Sequence, residues 1–172
     1  MLTCMSRQRL FSILPGLVCT LGCASTPPVA SNPDAPGDAK SAAAGPEREC
    51  LERASGEHTK QPDEPARIGL RHILVRHTDS ARADAGVTRT RGQACLRALE
   101  ALKALEAGTE WDQAVTEYSD EKGAAARHGS LGSLTRDDLD PAFADAAFEL
   151  EPDQLSYAVE SPAGFHVILR VE

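Results

Sequence analysis

From residue 67 to the C-terminus the chain alternates between the two periods that mark strands and helices, and before residue 67 it follows neither. Ile68 to His77 has a period of two, with Leu70, His72, Leu74 and Arg76 on one face and Ile73 and Val75 on the other, which predicts a strand with His72 in its middle. His77 to Arg89 is polar and reads as a mobile loop. Thr90-Arg91-Gly92-Gln93 fits a capping box, and Cys95, Ala98, Leu99, Leu102 and Leu105 form a stripe at helical spacing that Gly108 ends. A second cap at Thr109 opens a shorter helix carrying Trp111, Ala114, Val115 and Tyr118, closed by Ser119-Asp120-Glu121. A small, basic stretch, Gly123 to Arg127, leads into Gly129 to Phe148. There Asp140 offers an oxygen at the N-cap and Pro141 a preset φ at the first helical position, so Ala142 to Ala147 is predicted as a short helix. Ser156 to Glu172 reads as two strands around a turn at Ser161-Pro162-Ala163-Gly164, with Phe165, Val167, Leu169 and Val171 on one face and His166, Ile168 and Arg170 on the other.

The N-terminal third has a different texture. Arg7 and Arg9 precede the apolar run Leu10 to Val18, which ends at Leu21-Gly22-Cys23, a basic segment and a short apolar core before a small residue. Residues 1–22 are therefore expected to be a signal peptide, too short to span a bilayer stably. The Cys after Gly22 resembles the lipobox of bacterial lipoproteins, in which that Cys is lipidated; ordinary cleavage near Ala24-Ser25 is the alternative. Residues 23–66, rich in Pro, Ala, Ser, Gly and charge, cannot bury enough surface to offset their ordering entropy and read as a disordered tether. Residues 67–172 are then the folded domain, of ordinary size. Of the cysteines left after removal of a signal and lipidation of Cys23, Cys50 falls in the tether and Cys95 on the apolar side of a helix, where it reads as a small buried hydrophobe; the two can pair, but nothing in the sequence brings them together.

Charge removes one class of function. From Arg67 onward there are twelve Lys plus Arg against eighteen Asp plus Glu, a net of −6 within a chain of net charge −8, the opposite of what neutralising nucleic-acid phosphates requires. The histidines of the domain, His72, His77, His128 and His166, have no HxxxH or CxxC spacing beside them, so neither a metal nor another cofactor is expected.

Several motifs in order, His72-Ile73-Leu74-Val75, Val87-Thr88-Arg89-Thr90, Tyr118-Ser119-Asp120, Gly129-Ser130-Leu131-Gly132, Phe143 to Phe148 and Gly164 to Leu169, make the chain from about Gly69 to Glu172 resemble the parvulin-type peptidyl-prolyl cis-trans isomerases. The resemblance implies an α+β fold, a four-stranded antiparallel sheet wrapped by about four helices in the order βαααβαββ. It implies a proline pocket of Leu131, Leu139 and Phe143 with Phe165 beside them, and a pair of histidines, His72 and His166, sharing hydrogen bonds across its floor. Glu121 falls where the family holds Cys or Asp, with Asp120 as the neighbouring alternative, and Ser161 falls at a hydroxyl position of the site. Arg76 and Arg82 match cationic positions that read the residue before proline in phospho-directed members. The implied activity is isomerisation of X-Pro bonds in unfolded or partly folded exported polypeptides, by a monomer in the periplasm anchored to a membrane, the outer rather than the inner, through lipid on Cys23. A parvulin fold kept as a binding or holdase module with weak or no turnover is the other reading, and a proline-isomerisation assay separates the two.

Overall fold

The computed structural model describes residues 45–172. The expected signal peptide, Cys23 and the tether up to residue 44 lie outside the described residues. The elements run α1 (Pro46–Ala54), β1 (Ile68–Val75), α2 (Arg91–Glu106), α3 (Trp111–Tyr118), β2 (Ser130–Leu134), α4 (Pro141–Glu149), β3 (Val159–Ser161) and β4 (Gly164–Arg170), with 3-10 turns at Ala125–Arg127 and Arg136–Asp138. The strands form one antiparallel sheet in the order β2-β1-β4-β3. This is the architecture expected, except that the third helix between β1 and β2 is only the 3-10 turn Ala125–Arg127 and that α1 precedes β1.

Strand alternation sorts the core into two clusters. Ile73, Val75, Phe165 and Val167 join Cys95, Ala98, Leu102 and Val115 of α2 and α3 in one. Ile68, Leu70 and Ile168 join Phe143, Ala147 and Phe148 of α4 in the other. The ends of α2 and α4 form as their sequences dictate. Thr90 and Gln93 make the reciprocal capping box of α2. At its other end Gly108, with φ 95°, lets the Thr109 N–H reach the Ala104 carbonyl and its own N–H reach Leu105, a Schellman closure. The Asp140 side chain accepts from the Ala142 N–H at 3.1 Å ahead of Pro141. For α3 the N-cap is Glu110, one residue beyond the expected Thr109, and no side chain caps it.

Two expectations need correction. The tether does not extend to residue 66: α1 packs on α2, Cys50 is disulfide-bonded to Cys95, and Cys50 and Ala54 are buried. Arg53 lies 3.8 Å over the Tyr157 ring. Beyond α1, His58 Nδ1 is 2.6 Å from Glu149 and Glu64 pairs with Arg136, so residues 55–66 form a strap leading to α4. Composition missed this because a covalent bond and three polar attachments, rather than apolar periodicity, hold the segment. The loop from His77 to Arg89 is likewise anchored. His77 and Ser80 are buried, the His77 N–H donates to Ser80 Oγ at 2.9 Å, the Ala81 N–H donates to the Pro162 carbonyl at 2.7 Å, and Arg89 bonds both the Arg76 carbonyl and Asp120.

Candidate active site

His72 and His166 sit on neighbouring central strands and point to the α4 face, diagonal to one another because His72 stands opposite Ile168 and His166 opposite Leu74. Gly129 fixes the position of β1 here. Its carbonyl accepts the His72 N–H at 2.9 Å, and with φ 66° and the His72 carbonyl 2.6 Å from where a Cβ would sit, no other residue fits. Both rings are buried, at 5% and 4% exposure. They stack with planes 15° apart, and their Nδ1 atoms are 3.1 Å apart.

At one end of the pair His72 Nε2 lies 2.8 Å from Glu121 Oε2, which also takes an ion pair from Arg127. At the other end His166 Nε2 lies 2.7 Å from Ser161 Oγ, which accepts the Ala163 N–H at 3.1 Å. A carboxylate only accepts, so His72 carries a proton on Nε2. In a neutral ring its Nδ1 then accepts, His166 donates from Nδ1 and accepts at Nε2, and the Ser161 hydroxyl donates there. The protons thus line up in one direction, from the Ala163 amide to the Glu121 carboxylate.

The ionisation behaviour agrees with this assignment. The hydrogen bond from His72, opposed by partial burial and helped by Arg127, holds the Glu121 carboxyl down at about 2. Burial pushes His166 well below the ordinary histidine value, so its ring is neutral.

Above the pair, Phe143 stands edge-on to both rings, 4.9 Å from His166 at 89° and 6.0 Å from His72 at 77°. Leu131 and Leu139, half-buried, pack against the cluster that contains Phe143. The arrangement is an apolar group of side chains over two imidazoles, on the α4 face of the sheet.

Most of the expected site residues come together here, and some do not. Phe165 belongs to the opposite core, fully buried with Ile73 and Val75, because a residue next to His166 on a strand must face the other way. It touches His77 instead, at 6.0 Å between ring centroids. Asp120 does not reach His72: it accepts the Arg76 N–H at 2.8 Å and pairs with Arg89, while its own N–H donates to the Leu74 carbonyl at 2.7 Å. Glu121 is therefore the carboxylate of the site. Arg76 donates to the Asp120 carbonyl at 2.9 Å. Arg82, at φ 60°, is exposed and makes no ion pair or side-chain hydrogen bond among the described residues. Three contributors were not anticipated, Arg127, Gly129 as a support for β1, and the Ala163 amide. Only the basic character of Gly123 to Arg127 hinted at the first.

A four-stranded antiparallel sheet carrying a buried histidine pair beneath a phenylalanine, with helices on both faces, defines a parvulin-type rotamase. Residues 72–172 match the Rotamase family, the PPIC-type PPIASE domain. The chain belongs to this family, whose members are peptidyl-prolyl cis-trans isomerases, and it is an enzyme of that class. It is 37% identical over 128 residues to the putative peptidyl-prolyl cis-trans isomerase dodo of Drosophila melanogaster, covering 71% of this chain and 76% of the relative. To the foldase protein PrsA of Halalkalibacterium halodurans it is 43% identical over 70 residues, 41% of this chain but only 21% of that protein's length. Among solved structures, the PPIase domain of TbPar42 superimposes with a TM-score of 0.52 at 28% identity, over 61% of this chain and 99% of that one.

Proposed function

We propose that the hollow formed by Leu131, Leu139 and Phe143 above His72 and His166 binds the proline of an X-Pro segment in an exported polypeptide and speeds its rotation without covalent chemistry. The barrier is loss of amide resonance, ~18–20 kcal/mol, which leaves the uncatalysed exchange at tens to hundreds of seconds. What lowers it is a site that binds the twisted amide better than either planar form. The apolar cup holds the pyrrolidine ring while the preceding carbonyl swings. A site poor in water favours the twisted state, whose charge separation is smaller than that of the planar amide. The observation that carries the reading is the closed hydrogen-bond chain Glu121, His72, His166, Ser161, which fixes the floor under Phe143.

Export is supported by the Cys50–Cys95 disulfide, since such bonds persist in oxidising compartments, and by the basic and apolar N-terminal pattern ending at Cys23. The partial similarity to a foldase fits a role in folding exported chains. In this reading Cys23 carries the lipid, and the domain works as a monomer in the periplasm on the outer membrane. The test is an exchange measurement on an Ala-Pro tetrapeptide with purified protein, together with mass spectrometry of the N-terminal fragment from cells. Catalysed exchange and a lipidated Cys23 are expected; exchange at the uncatalysed rate, or an unmodified N-terminus, overturns the respective part.

A further inference from the structure

Residues 45–66 precede the family domain, yet the strap they form shapes a cavity beside the catalytic hollow. Ala54 to Thr59 provide one wall of a cavity of about 750 Å³, and the start of α4 and the edge strand β3 provide the other. The cavity borders the histidine pair through one shared residue. Ser161 lines it and bonds His166, and Asp140, the N-cap of the helix that carries Phe143, lines it as well.

Two features of the walls say what enters. The first is the backbone of β3. Ser161 pairs with Gly164 across a two-residue turn, so these two exchange hydrogen bonds and the next pair, Glu160 and Phe165, does not. The N–H and C=O of Glu160 therefore point away from β4, and no turn, loop or strap residue among those described bonds to them. An extended polypeptide can pair with such an edge. The second is charge. Glu57, Asp140, Asp145 and Glu160 line the cavity and no Lys or Arg among the described residues does, although Arg91 and Arg136 pair with Glu160 and Asp145. Glu57 is exposed and makes no ion pair among the described residues.

We infer that the cavity between the strap and β3 is an extended subsite that takes the chain flanking the substrate's proline and favours Lys or Arg in that flank. The inference rests on the hollow being the proline site, and it assigns residues 54–59 to substrate binding. The disulfide has a place in it, since it holds α1 and hence the start of the strap against α2.

The test uses the full chain and three kinds of substrate, an Ala-Pro tetrapeptide and the same peptide extended on one side or the other by residues containing either Lys or Glu. For one of the two extensions, kcat/KM for the Lys form should exceed that for the Glu form by roughly three- to tenfold at low ionic strength, and the ratio should collapse toward one at about 1 M salt. Glu57→Lys should abolish or invert the ratio. A Lys-to-Glu ratio within about 1.5 on both flanks overturns the proposal, as does a preference that survives both high salt and Glu57→Lys, because the groove's charge then plays no part. Turnover of the tetrapeptide without any flank effect overturns this proposal alone. No turnover of the tetrapeptide overturns the active-site reading and this proposal with it.

Discussion

Reducing the Cys50–Cys95 bond should separate α1 from the rest of the domain and leave the sheet intact. The bond closes a loop with a sequence separation of 45. On the chain-entropy account, a loop of that length removes about 13 cal/mol/K from the unfolded chain, or about 4 kcal/mol at room temperature. The full amount is not expected, because the reduced protein can recover part of the loss by letting α1 go. Of the nine residues of α1 only Cys50 and Ala54 are buried, with Leu51 half-buried, so little apolar surface holds the helix once the link is cut. We therefore expect a loss of about 2–3 kcal/mol, which in a domain of this size lowers Tm by roughly 7–11 °C. Differential scanning calorimetry with and without reductant reads the first number, and amide exchange resolved to residues 46–54 reads the release of the helix. Melting temperatures within about 2 °C of each other, with residues 46–54 equally protected in both states, would refute the argument, since the loop entropy and the sparse packing of α1 would then both be misjudged. The same reasoning predicts that residues 67–172 fold alone with a cooperative but lower melt.

Acid should destabilise the domain in two stages. His166 is held neutral below its ordinary value of 6.5, so the unfolded state gains a proton first as pH falls through 6.5; Glu121, held at about 2 against an ordinary 4.5, adds a further loss of about 2–3 kcal/mol between those limits after allowing for its partial exposure. Urea melts at pH 7, 5 and 3 check this, and a flat profile contradicts it. Leu131→Ala, at a half-buried position, should lower kcat/KM more than stability, whereas Phe143→Ala should lower both, costing about 3–4 kcal/mol because Phe143 is also core; paired kinetics and denaturant melts separate the two outcomes. Glu before proline should be favoured mildly over Lys through Arg82, Arg76 being engaged by Asp120; a peptide series with Ala, Glu, Lys and phospho-Ser tests it, and a phospho-Ser advantage of about a hundredfold, near 2.7 kcal/mol, would contradict it.

The strands β1, β3 and β4, the helices α2 to α4 and the caps of α2 and α4 were legible because each is a local consequence of sequence, whereas β2 came only from the family resemblance and the cap expected at Thr109 did not form. Alternation put His72 and His166 each on one face of its own strand, the family resemblance paired them, and the Asp140-Pro141 pair started α4 where Phe143 must hang. The same alternation argued against Phe165 as a pocket residue, and family resemblance had placed it there against its own strand parity. What the sequence hid is non-local. Nothing near Cys50 announces that its partner lies 45 residues on, and no periodicity reveals a strap held by His58 on Glu149 and Glu64 on Arg136. Whether Asp120 or Glu121 faces His72 turned on how the chain leaves α3: the Asp120 N–H bonds the Leu74 carbonyl, which aims Asp120 at Arg76 and Arg89 and leaves the next side chain for the histidine.

The occupancy of the ring nitrogens says what the histidines can do. Each of the four has a protein partner: Glu121 on His72 Nε2, Ser161 on His166 Nε2, and the two Nδ1 atoms on each other. A general acid or base must reach the substrate through a nitrogen. Here that would require breaking a buried or partly buried hydrogen bond, and the group left unpaired would cost about 1–3 kcal/mol before any chemistry began. In the proposed reading the substrate lies against ring faces and edges, which are held in place by Phe143 above and by the chain of bonds below. Glu121 completes the arrangement by accepting from His72 while Arg127 balances its charge, so the hollow lies next to an ion pair and not a bare carboxylate. On the proposed mechanism, an amide that must lose charge separation to rotate is served by a floor of this kind, rigid and uncharged at its surface, without a proton transfer.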